Sequence, residues 1–190
     1  MAAIETRTLV MAGPMRWIVL EHAGRVTTLA WFAHVHYTVH GAGNVLFARS
    51  DLYGTGRDDV FAVFADNEAM AAHLRDDIFC YTVFAGSPGG EPPAPIVAAE
   101  FHAETDWPHC LLESMRAEDG TEVKLWFWNL GTPQVYVRAV NERITEVGAY
   151  AAPGRFQMEI GGIEPVGKAE TGPLAGAPPL GADLQNLWYC

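Results

Sequence analysis

Three side chains carry the chemistry that this sequence offers: His34, His36 and Glu113. The histidines stand two apart in RVTTLAWFAHVHYTVH, residues 25–40, a β-branched and aromatic run that holds three of the seven histidines. Alternation along a strand puts His34, His36 and His40 on one face with Phe32, and an almost unbroken apolar row (Leu29, Trp31, Ala33, Val35, Tyr37, Val39) on the other. Imidazole titrates near neutrality, so it can take up a proton and return it, and a carboxylate can orient the ring. His34 and His36 are therefore the expected general acid and base, with Glu113 as their partner. If that face meets bulk water instead of a polar interior, the histidines are merely solvated.

Glu113 enters through a hairpin. HCLLESMRAE and TEVKLWFWNL flank Asp119-Gly120, a favoured pair for a two-residue turn. Such a turn sets Glu113 opposite Trp126, Leu111 opposite Trp128 and Met115 opposite Lys124, with the tryptophans and the carboxylate on one face. Phe32, Trp126, Trp128 and Tyr136 are then the expected substrate-binding walls and Arg138 a further polar contact. The chemistry expected is cofactor-free acid–base catalysis of lyase, isomerase or cyclase type on a small apolar or aromatic molecule.

Two other readings use the same residues. Two imidazoles on one strand face are a pair that metals exploit, so a cupin-like metal-dependent enzyme is an alternative, with His102 or Glu100 to complete its site. The glycine and glutamate spacing around the pair and a later PxGxxH are missing, and no metal ligand is assigned. A carrier or sensor would bind an apolar ligand in the same cavity without reaction. There is no GxSxG elbow, and the GTG of residues 54–56 lacks the rest of a phosphate loop.

The composition limits the classes of partner. The chain has 190 residues, 49% hydrophobic and 18% charged, with a formal net charge of −11. That balance describes a folded domain and argues against nucleic acid or an anionic membrane as partner. Three cysteines without CxxC spacing make neither a disulfide framework nor a zinc site, and no run approaches a membrane span, so a reduced cytoplasm is expected. Residues 1–168 read as a single β-rich domain with the Pro/Gly-rich loop 86–95 between its halves. Residues 169–190 read as a tail whose apolar end, LQNLWYC, docks on the body or on a partner subunit, so a homodimer is expected.

The elements that must position these residues are mostly strands. TRTLVM and MRWIVLEH are separated by Gly13-Pro14, which reads as a turn or a sheet edge because proline cannot donate to a ladder. VFAVFA, residues 60–65, is apolar on both faces and belongs in a covered strand. EAMAAHLRDDIF is the one helical stretch, with Met70, Leu74 and Ile78 along one stripe, and CYTVFA, residues 80–85, reads as a strand. The fold expected is an all-β, mostly antiparallel barrel, closed or nearly so and calycin-like, with one helix covering an open side. A β-sandwich is the alternative.

Overall fold

A computed structural model describes residues 7–87, 91–170 and 180–190; part of the 86–95 loop and most of the tail before LGADLQNLWYC lie outside the described residues. The chain forms β1 (Leu9–Ala12), β2 (Met15–His22), β3 (Arg25–Val35), β4 (Gly43–Ser50), β5 (Val60–Ala65), α1 (Glu68–His73), β6 (Ile96–Asp106), β7 (Cys110–Ala117), β8 (Glu122–Leu130), β9 (Gln134–Ala139), β10 (Thr145–Ala151), β11 (Pro153–Ile160) and β12 (Leu180–Tyr189). The strands follow the order β11-β8-β7-β6-β5-β4-β3-β2-β12-β10-β9, with β1 beside β12.

Pairing is antiparallel except between β5 and β6, which run parallel. Parallel neighbours need a crossover, and α1 lies in that connection. The sheet is thus mostly antiparallel, as the sequence implies, with one parallel step. Asn67 caps α1 by accepting the Met70 N–H at 3.1 Å. A π-helical turn, Leu74–Ile78, continues it. Met70, Leu74 and Ile78 face inward as their spacing predicts, and with Phe79 and Phe84 they cover Trp31 and Phe47 on one face of β3 and β4. CYTVFA is not a strand: Val83–Ala85 is a short 3-10 turn that sets Phe84 into this layer.

The other face of the sheet builds a second apolar cluster. It draws Ile18 and Leu20 from β2, Ala30 and Phe32 from β3, Leu111 and Met115 from β7, Leu125 and Phe127 from β8 and Met158 from β11. Strands lie about 4.8 Å apart, so in a flat sheet β3 and β7 would be about 19 Å apart. Their side chains meet, so the sheet curls until its β6–β7–β8–β11 part packs over β2–β4. β6 makes the corner. Ile96–Ala98 pair with β5, and Ala99–Asp106 pair with β7. Among the described residues no ladder joins β11 to β9, so the sheet is open and the closed barrel is not formed. No helix among the described residues is long and apolar enough to cross a membrane.

Gly13-Pro14 is neither a free turn nor an edge. It interrupts one continuous path, β1 then β2, that is hydrogen-bonded on both sides. Gly13 exchanges N–H···O bonds with Asn186 at 2.9 and 3.1 Å. On the other side Pro14 O accepts from His34 N–H at 3.0 Å and Ala12 O from His36 N–H at 2.8 Å. A bulge here accommodates the missing proline N–H. The C-terminal run LQNLWY is likewise interior to the sheet, in the part of β12 between β1 and β10.

Gly13 has φ +153°, and a Cβ there would lie 2.0 Å from the His34 carbonyl oxygen. Gly13→Ala must push the end of β3 away, at a cost of about 3 kcal/mol. A urea midpoint unchanged from the parent protein would show that this bulge does not hold β3 in place.

Candidate functional site

The curl brings three strands to one cleft. Arg16 shares the inner face of β2 with Ile18 and Leu20, His34 follows Phe32 on β3, and Glu113 lies between Leu111 and Met115 on β7. The cleft has a volume of about 410 Å³ and is lined by these three residues with Asn44, His36 and Thr105 among others. Ala103 of β6 stands opposite Glu113, and its small side chain leaves the carboxylate open to the cleft.

His34 is held at both nitrogens, Nδ1 2.6 Å from Asn44 Oδ1 and Nε2 2.7 Å from Glu113 Oε2. The Asn44 amide has only one sensible orientation. Its Nδ2 donates to Asp66 Oδ2 at 2.6 Å, and its backbone N–H donates to Asp66 Oδ1 at 2.7 Å. Oδ1 must therefore face His34, and Nδ1 must carry a hydrogen. A neutral ring would then present a bare Nε2 lone pair to a carboxylate. The contact requires a proton between them, on the ring or on Glu113. The hydrogen bond to Glu113 raises the His34 pKa above its ordinary value, outweighing burial, which lowers it. The Glu113 charge and Asn44 add to the rise, and Arg16 opposes it.

Arg16 stands behind this pair. Its Nη1 donates to the backbone carbonyls of Met15, at 3.0 Å, and Asp183. Its Nε lies 3.6 Å from Glu113 Oε1, an ion-pair contact too long for a hydrogen bond. Burial lowers the guanidinium pKa against the pull of Glu113 and Asp183, and arginine stays cationic regardless. Chemically the site is a proton shared between an acid and a base beside a fixed positive charge, at the floor of an open cleft.

The other expected site residues are dispersed. His36 lines the cleft mouth but lies beyond β3, which ends at Val35, and its ring is exposed. Phe32 is fully buried in the inner cluster and does not line the cleft. Trp126 and Trp128 face away from it. Glu113 pairs with Leu125, Leu112 with Trp126 and Cys110 with Trp128, one residue out of the expected register. The cause is the turn. Ala117 N–H bonds to Thr121 O at 2.9 Å, so Glu118-Asp119-Gly120 form a three-residue loop with Gly120 at φ +90°. A slip of one residue turns every side chain of β8 to the other face. The two indoles lie parallel on the outside, 6.5 Å between centroids, with the Arg155 guanidinium 4.7 Å from the Trp128 ring. Among the described residues no group of three His, Cys, Asp or Glu side chains is placed to hold a metal ion.

Tyr136 and Arg138 belong to a second polar cluster, on the sheet face that carries Met15 and Trp188. Tyr136 Oη lies 2.8 Å from both Glu146 Oε1 and Asp183 Oδ2; Asn186 Nδ2 donates to the same two oxygens, and Arg138 pairs with Glu146 Oε2. Two carboxylates sharing the same partners cannot both ionise cheaply. Glu146 is the member paired with Arg138, and Asp183 is the member whose pKa is raised. Burial pushes the Asp183 carboxyl up to about 7 and the Glu146 charge adds to this, while the Tyr136 hydrogen bond and the charges of Arg16 and Arg138 oppose it.

Arg16, Asn44, Asp66, Glu146, Asp183 and Asn186 were not expected from the sequence. The usable signal was a polar residue inside an otherwise apolar strand: Arg16 in MRWIVL, and Asp183 and Asn186 in LGADLQNLWY. No protein-family model and no curated protein matches the chain. A solved structure described as structural studies of acetoacetate decarboxylase aligns with a TM-score of 0.47 and 10% identity, covering 94% of this chain and 84% of that one. Similarity at that level transfers no chemistry from one chain to the other.

Two outcomes follow from the protonation. Glu113→Gln removes the largest cause of the raised His34 pKa, so the ring titrates at lower pH, as read from its imidazole resonances by NMR. An unshifted titration means that the pair does not share a proton. Asp183 is protonated in the folded protein from its ordinary value of 3.8 up to about 7. The folded state thus holds a proton that the unfolded chain releases. This stabilisation is full below 3.8 and is lost as pH rises through 7, by roughly 4 kcal/mol. Asp183→Asn carries no such proton, so its urea stability should be flatter from pH 4 to 8 than that of the parent protein.

Proposed function

We propose that the chain is an enzyme that moves protons with its own side chains, of lyase or isomerase type, at the cleft over His34 and Glu113. One observation carries this reading: Asp66 fixes Asn44, Asn44 fixes the hydrogen on His34 Nδ1, and the proton at Nε2 is thereby shared with a buried carboxylate open to a cleft. The cleft volume lies in the ordinary range of small-ligand sites, about 300–1,000 Å³. Its lining of Arg16, His34, Asn44, Thr105 and Glu113 suits a small polar substrate. An aromatic one loses its basis, since Trp126 and Trp128 lie outside.

Glu113 Oε1 is the base. It makes no hydrogen bond among the described residues and faces the cleft beside Arg16. It removes a proton from carbon next to a carbonyl group, and the electron pair moves onto the carbonyl oxygen. Returning the proton to the opposite face of the same carbon, as the electron pair comes back from oxygen, completes an isomerisation by inversion. Expelling a leaving group from the neighbouring carbon with that electron pair completes an elimination. His34 lends its proton to Glu113 or withdraws it, and so holds the carboxylate ready. An amine nucleophile is not offered, since Lys124 and Lys168, the two lysines of the sequence, are both exposed. Three free cysteines agree with a reducing compartment such as the cytoplasm.

The test is deuterium uptake. The protein is incubated in D2O with a panel of small carbonyl compounds bearing an acidic C–H, and exchange is followed by NMR. Exchange of at least one compound should be accelerated, and Glu113→Gln should lose that acceleration by about 10²–10⁴-fold. Binding at His34 without any exchange across the panel identifies a carrier and overturns the proposal.

A further inference from the structure

The floor of the cleft contains a buried donor with nothing to donate to. Arg16 is only 7% exposed, and its Nε has no hydrogen-bond partner. A buried N–H left unpaired costs about 1–3 kcal/mol, more when the group is charged, so an acceptor from outside the fold would relieve that cost at Arg16. The guanidinium cannot swing away to find water. Nη1 is anchored to two backbone carbonyls, on β2 and β12. No hydrogen bond among the described residues reaches Nε or Nη2. Those two N–H groups form the side-on edge of the guanidinium, two parallel donors in one plane, and Arg16 lines the cleft. Planar oxyanions match that edge with two parallel hydrogen bonds.

The local charge points the same way. Arg16 and protonated His34 are opposed inside the cleft by Glu113, which leaves one positive charge uncompensated. The remaining titratable groups around it do not alter this balance. Asp66 is exposed and turned to Asn44, His36 is exposed at the mouth, and Asp183 holds its proton on the far face of the sheet. A chain with a net charge of −11 thus keeps a cationic floor in this cleft, where a monoanion would bring the charge to zero.

We infer that Arg16 is a carboxylate seat: the substrate of this site is a small monocarboxylate whose two oxygens lie on Arg16 Nε–H and Nη2–H, next to the proton shared by His34 and Glu113. This deepens the proton-transfer reading and rests on it for the word substrate, but the seat is measurable without turnover. Arg16 Nε lies 3.6 Å from Glu113 Oε1, so a carboxylate held there would sit beside the proposed base. Anion binding and a protonated His34–Glu113 pair favour each other, because both ligand and Glu113 present carboxylate oxygens to one region. Binding should therefore weaken as pH rises through the His34 pKa.

The seat is tested on the full chain with acetate, acetamide and chloride as probes, reading the His34 ring resonances by NMR. Acetate should shift them saturably, and more weakly at higher pH, whereas acetamide, equal in shape and without the charge, should not. Arg16→Lys keeps the charge and loses the two-pronged edge, and it should weaken acetate at least about tenfold, or 1.4 kcal/mol. A denaturant curve establishes that this variant is folded. If it is not, the acetate–acetamide contrast and its pH dependence in the parent protein decide the matter alone. Equal responses to acetate and acetamide, an equal response to chloride, or unchanged acetate affinity in folded Arg16→Lys would each overturn the inference. Acetate bound as described with no deuterium exchange in any carbonyl compound would instead leave the seat standing and remove the enzyme reading.

Discussion

The structure turns on a guanidinium held inside apolar surroundings. Arg16 sits on a strand face otherwise occupied by Ile18 and Leu20, with its Nη1 tied to the backbone of β2 and β12 and its Nε beside Glu113 of β7. Glu113 is 3% exposed. A carboxylate so buried needs compensating charge, and Arg16 and His34 supply it from two other strands. Taking either partner away leaves a buried charge unbalanced, an effect of about 3–5 kcal/mol. β2, β3, β7 and β12 all contribute contacts to this pair of charges.

Such clusters are poor devices for stability. Apolar side chains of the same volume generally serve a core as well as a buried ion pair does, or better. The placement of Arg16, His34 and Glu113 at the base of an open cleft, with Asn44 and Asp66 setting one histidine hydrogen, is therefore what the proposed proton transfer rests on. The second cluster differs in kind. Tyr136, Glu146, Asp183 and Asn186 are hydrogen-bonded to one another and closed in by Arg138, with burial raising the Asp183 pKa, while Asp183 Oδ1 and Asn186 Oδ1 have no hydrogen-bond partner among the described residues. They fasten β9, β10 and β12 together, and β12 in turn presents the carbonyl that anchors Arg16. The two clusters lie on opposite faces of one sheet and are linked by that carbonyl and by the electrostatic interaction of Arg16 with Asp183.

One turn residue decided which side chains meet. A two-residue Asp119-Gly120 turn would have placed Glu113 on the face of Trp126 and Trp128. The observed turn takes Glu118 as well, and the whole of β8 is reversed relative to that expectation. Leu125 and Phe127 then enter the core, and the indoles turn outward to stack on each other and on Arg155. Both faces of this hairpin are apolar enough to be buried, so hydrophobic pattern alone did not choose between them. Where one face is clearly polar, as with Glu100, His102 and Glu104 of β6, pattern and structure agree.

Alternation, turn residues and the helical stripe sufficed to read the β class, most strand positions, the helical stretch with its inward Met70, Leu74 and Ile78, and the candidacy of His34 and Glu113. These features depend on neighbours in the chain, where side-chain direction follows backbone period. The open sheet, the parallel β5–β6 step, the bulge at Gly13 and the interior place of LQNLWY were decided by tertiary structure. So was the meeting of His34 with Glu113 across 79 residues, and of Arg16 with Asp183 across 167. The physical reason is the same in each case. The strength of a charge or hydrogen-bond pairing depends on distance and on the water excluded around it, and both are set only when the sheet has curled.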